Sequence, residues 1–62
     1  MAQPPAELEG RIVRETENAM LFDYDGTEHW IPLSTIERIT RNPKGLDHIW
    51  VAHWLAYKKG II

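Results

Sequence analysis

An Asp-Gly pair, Asp25-Gly26, stands between two strand-like runs, Ala19-Met20-Leu21-Phe22-Asp23-Tyr24 before it and Thr27-Glu28-His29-Trp30-Ile31 after it. No other feature limits the possible folds of this chain so strongly. Both positions of an Asp-Gly pair tolerate the positive φ of a tight turn, so the stretch from Ala19 to Ile36 is expected to double back as an antiparallel hairpin. A two-residue loop sets Tyr24 opposite Thr27, Phe22 opposite His29 and Leu21 opposite Trp30. The same register opposes two carboxylates, Asp23 and Glu28, which leaves a three-residue loop with a bulge at Gly26 as a competitor. The first arm is apolar on both sides, with Met20, Phe22 and Tyr24 pointing one way and Ala19 and Leu21 the other. That pattern suits a closed or tightly curled sheet.

Around the hairpin, Met1 to Glu9 holds Pro4-Pro5, small residues and two glutamates, and is expected to be a disordered lead to a single domain over residues 10–62. Arg11-Ile12-Val13-Arg14 is a short strand candidate. Pro32 lacks an N–H and ends a strand or marks an edge. Ser34 can cap one helical turn through Thr35, Ile36 and Glu37, with Glu37 completing a capping box. Ile36 to Thr40 alternates weakly as a strand, Asn42-Pro43-Lys44-Gly45 is a turn, and Leu46 to Val51 is the last strand. Ala52 to Lys59 is expected to be helical, with two lysines at its negative end and Gly60 as its stop. The expected architecture is mainly β, a small antiparallel β-barrel or curled sheet, SH3-like, with a short C-terminal helix. Trp50, Val51, Trp54, Leu55 and Ile61 are expected to plug one open end of the sheet.

A chain of 62 residues buries only about 60% of the surface that its unfolded form exposes, so every large apolar side chain counts. At least two of the three Trp residues are therefore expected in the core. With no Cys, no signal peptide and no apolar run long enough to span a bilayer, the sequence reads as a cytoplasmic protein without membrane contact. A domain this small with no disulfide can gain stability by forming a homodimer. The net charge of −2 supplies no overall positive field for a polyanion. The charge is uneven: Arg38, Arg41, Lys44, Lys58 and Lys59 face only Asp47 in the C-terminal part, whereas most carboxylates precede residue 38.

The phrase Trp30-Ile31-Pro32-Leu33-Ser34-Thr35-Ile36, preceded by Glu15-Thr16-Glu17-Asn18-Ala19 and followed by Trp54-Leu55-Ala56-Tyr57-Lys58-Lys59-Gly60, resembles a pattern of short uncharacterised domains encoded by bacteriophages and other mobile elements. It spans most of the chain after the lead. The resemblance implies a shared small fold and no defined activity.

Chemistry-bearing residues are few. Asp47, His48 and His53, with His29, could be read as a metal cluster, but His48 and His53 are five apart and lack the i, i+4 spacing of a helical metal site, so no metal and no cofactor are expected. Acid–base work needs carboxylates in contrasting environments, whereas Asp23, Asp25 and Glu28 gather at a wet hairpin tip. With no Cys, and with Ser34 assigned to a cap, nucleophilic catalysis has no candidate trio. The chain is expected not to be an enzyme.

Two binding readings remain. The first is an interaction module, an accessory or inhibitor protein or a self-associating unit, that meets a protein partner through the acidic tip of Asp23, Asp25 and Glu28. The alternative is a single-stranded nucleic-acid binder in which Trp50 and Tyr57 stack on bases while Lys44, Lys58 and Lys59 contact phosphates.

Overall fold

A computed structural model describes residues 3–62. Five strands, β1 (Ala6–Glu15), β2 (Ala19–Tyr24), β3 (Thr27–Pro32), β4 (Ile36–Thr40) and β5 (Asp47–Val51), are followed by one short helix, α1 (His53–Lys58). They form one antiparallel sheet in the order β3-β2-β1-β5-β4. The mainly-β expectation holds, whereas closure into a barrel does not. β3 and β4 remain the two outer strands, and the 3-10 turn Leu33–Thr35 between them is tied to the rest of the chain by two backbone bonds. Leu33 N–H donates to the Asn18 carbonyl at 2.9 Å, and the Thr35 carbonyl accepts from Ala52 N–H at 2.8 Å.

β1 organises the sheet. Its first half, Ala6 to Gly10, pairs with β5, and its second half, from Arg11 onward, pairs with β2. The strand changes partner at Gly10, where a Cβ would lie 2.1 Å from the Asp23 carbonyl oxygen and 2.9 Å from the Phe22 ring. Only a residue without a side chain lets the backbones approach this closely. Ala6 to Glu9, expected to belong to a disordered lead over residues 1–9, instead form the start of β1. Ala6, Leu8 and Gly10 alternate inward with Glu7 and Glu9 outward, and Leu8 is buried against Ile49 of β5. Pairing with a strand some forty residues away is invisible to local composition. Met1 and Ala2 lie outside the described residues.

The hairpin adopts the two-residue loop. Asp25 (φ 52°) and Gly26 (φ 82°) both occupy the left-handed region, as a type I′ turn requires, and Tyr24 pairs with Thr27. Asp23 does oppose Glu28. Its carboxylate, however, accepts a hydrogen bond from Gly26 N–H at 3.1 Å, and on its other side it pairs with Arg11 of β1. These contacts offset the like-charge pairing that had favoured the longer loop.

The core is aliphatic with a single aromatic ring: Leu8, Met20, Phe22, Ile31, Ile49 and Val51 from the sheet, with Leu55 and Ala56 from α1. Burying each of the large side chains contributes about 1.5–3 kcal/mol. None of the three Trp residues joins them. Trp50 is half-buried, while Trp30 and Trp54 are 46% and 58% exposed. The reason is strand periodicity: Trp50 lies between inward-facing Ile49 and Val51, and Trp30 precedes inward-facing Ile31, so both indoles emerge on the outer face. The end block accordingly consists of Val51, Leu55 and Ile61 without Trp50 or Trp54.

Two local expectations need revision or narrowing. Ser34 caps nothing; Pro32 starts the turn, and the Thr35 hydroxyl donates to the Pro32 carbonyl at 2.7 Å. The helix is one residue shorter at each end than expected, with Ala52 before it and Lys59 after it. Ile61 N–H bonds to the Ala56 carbonyl at 2.9 Å and Gly60 N–H to the Tyr57 carbonyl at 3.1 Å, the paired bonds of a Schellman ending.

Candidate functional site

The change of partner along β1 places its first half beside the hairpin tip. Between them lies an open cleft of about 680 Å³ in which Glu7 and Glu9 from β1 face Asp23 and Asp25 from the hairpin, with Arg11, Tyr24 and Leu46 on its walls and Gly10 on its floor. Two of the three acidic residues singled out in the sequence, Asp23 and Asp25, belong to this cleft. Glu28 is exposed on β3 opposite Asp23 and does not line it. Sequence reasoning missed Glu7 and Glu9 because it assigned them to a disordered lead. The signal was present in the alternation Ala6-Glu7-Leu8-Glu9-Gly10, masked by the neighbouring prolines.

Glu7 and Glu9 are fixed from the β5 side. His48 bridges them, with Nδ1 2.9 Å from Glu7 Oε2 and Nε2 3.3 Å from Glu9 Oε2. The imidazole in turn stacks on Trp50 at 6.2 Å between ring centroids and 27° between planes. Arg38 of β4 lies over the Trp50 ring, 5.0 Å from its centroid. A ladder of Glu7, Glu9, His48, Trp50 and Arg38 thus crosses the outer face of β1, β5 and β4. It orders the acidic wall and occupies the Trp50 indole.

Asp47, weighed in the sequence as part of a metal cluster, acts as a latch. Its Oδ1 accepts from Asn42 N–H at 2.9 Å and its Oδ2 from Ile12 N–H at 3.1 Å, joining the turn before β5 to β1. These two bonds, Asn42 first, hold its carboxyl below the ordinary value of 3.8, with smaller help from Arg41 and Arg11 and opposed by partial burial. Among the described residues, no group of three or more His, Cys, Asp and Glu side chains is disposed to hold a metal ion.

The residues of the nucleic-acid reading are scattered. Lys44 lies in the turn before β5, Trp50 on that strand's outer face under Arg38, and Tyr57, Lys58 and Lys59 at the end of α1, beyond the far end of β5. Trp54, assigned to the core in the sequence, is instead exposed with Tyr57 one turn along the helix. Among the described residues, no helix is long and apolar enough to cross a membrane. No protein-family model, no curated protein and no solved structure matches this chain.

Proposed function

We propose that this chain is a nonenzymatic interaction module, an accessory or inhibitor protein of a bacteriophage or other mobile element, which docks its acidic cleft on a basic groove of a larger protein. The observation that carries this reading is the gathering of Glu7, Glu9, Asp23 and Asp25 around a single arginine, Arg11, on two strands and a type I′ turn. A preorganised surface loses little conformational entropy on docking, and its field steers a cationic partner toward it. The fold reads as an opened SH3-like curl, supported by a long β1 shared between two halves of the sheet. The absence of Cys from the sequence suits a reducing cytoplasm.

Affinity capture from host extract, run in parallel with the wild type and with the double variant Glu9→Lys, Asp25→Lys, tests the reading. Proteins retained by the wild type at about 150 mM salt are expected to be lost with the variant and at high salt. Retention of the same proteins by both would remove the cleft from consideration.

A second reading, single-strand nucleic-acid binding, is favoured by one observation: Trp54 and Tyr57 are 58% and 72% exposed beside Lys58 and Lys59. Its residues would be Trp54, Tyr57, Lys58 and Lys59, with Trp50 and Lys44 standing apart. Titration of fluorescent oligonucleotides at two salt concentrations separates the readings, because phosphate contacts make affinity fall steeply with salt. Absence of binding at low salt ends this one.

A further inference from the structure

We propose that β4 is a self-pairing edge: its free side joins the same strand of a second copy of this chain, antiparallel and centred on Ile39, to make one continuous sheet across a two-fold axis. Among the described residues, β4 is paired only with β5, so the backbone N–H and C=O groups along its other side have no strand to bond. The apolar interior reaches that edge. Ile39 lies opposite the fully buried Ile49 and shares its face of the sheet, yet is 37% exposed. Leu33 and Ile36 line the same cleft as Ile39, with Glu15, Glu37 and Arg38 at its rim.

Natural edge strands are blunted by proline, bulges or charge. β3 ends in Pro32, and β4 carries a bulge at Glu37, but Arg38, Ile39 and Thr40 beyond it keep regular pairing. A two-fold axis perpendicular to a sheet maps each side chain onto the same face, so the contact must be centred on one residue meeting itself. Centring on Glu37 opposes two carboxylates, and centring on Arg38 opposes two guanidinium groups. Centring on Thr40 sets Ile39 against Arg41 and Glu37 against Pro43, which has no N–H to donate. Centring on Ile39 gives Ile39 against Ile39 and Arg38 against Thr40, and brings Glu37 opposite Arg41, which lies just past the strand and forms an ion pair with Glu15 of its own chain. Of the registers centred on Glu37 to Thr40, this alone sets apolar against apolar with no like charges opposed. It selects a second copy of the chain over an unrelated strand, since the complementarity is internal to the sequence.

This surface shares no residue with the acidic cleft, so failure of either proposal leaves the other intact. The test is light scattering on an eluting size-exclusion column across a concentration series, with circular dichroism confirming that each variant is folded. The wild type is expected to reach twice the 7.2 kDa chain mass. Ile39→Lys, which sets two ammonium groups face to face at the axis, should raise the dimer dissociation constant at least about tenfold. Ile39→Val, which keeps the apolar self-contact, should stay within about threefold of the wild type. A wild type that stays at the monomer mass throughout, or an Ile39→Lys variant that dimerises as well as the wild type, overturns the proposal.

Discussion

Gly10 and Asp23 meet backbone to backbone: a Cβ at Gly10 would stand 2.1 Å from the Asp23 carbonyl oxygen. The contact lies where β1 leaves β5 for β2, so any added side chain must separate the two halves of the sheet. Gly10→Ala is expected to destabilise the fold by about 2–4 kcal/mol through overpacking against backbone and the Phe22 ring. Chemical denaturation followed by far-UV circular dichroism measures it. A loss below about 1 kcal/mol would mean that β1 does not run as described.

The Asp47 latch makes stability depend on acidity in a defined direction. Because the folded carboxyl titrates below its ordinary 3.8, the ionised form is the one that the Asn42 and Ile12 amides hold. Its contribution is therefore full at neutral pH, where both folded and unfolded forms are ionised, and declines as pH falls below about 4 through the lower folded value. Asp47→Ala should cost about 1–2 kcal/mol at pH 7, discounted from the buried case because the latch is partly solvated. The gap between variant and wild type should narrow at pH 2 to 3. A gap unchanged across that range contradicts the latch.

Aromatic and aliphatic truncations should rank opposite to side-chain size. Trp30→Ala and Trp54→Ala remove exposed rings and are expected to cost less than about 1 kcal/mol each. Ile49→Ala, a far smaller deletion, should cost about 2–5 kcal/mol because Ile49 is fully buried. Thermal melts of the three variants decide the order. A Trp truncation as costly as Ile49→Ala would return the indoles to the core.

Local chemistry made the hairpin, the Asn42–Gly45 turn and the helix ending readable in advance, since Asp25-Gly26, Asn42-Pro43 and Gly60 each impose their conformation on a few adjacent bonds. Strand periodicity could also have placed Trp50 outside, but the apolar run Ile49-Trp50-Val51 hid which face was buried. Pairing over long separations was not readable. The contact of Glu7 and Glu9 with His48, the bond from Ile12 to Asp47, and the failure of the sheet to close all depend on partners far along the chain. Half of the acidic cleft was visible as the turn residues Asp23 and Asp25, and half was hidden behind Pro4-Pro5.

The cleft exists only if Ala6 to Gly10 is bound to β5. Nuclear Overhauser spectroscopy on isotope-labelled protein, with amide exchange along β1, tests that pairing directly. Cross-strand contacts are predicted between Leu8 and Ile49 and between Glu9 and His48, with amide protection in the β1–β5 ladder. Random-coil shifts and unprotected amides over residues 6–10 would contradict it, and the acidic cleft would be lost with it.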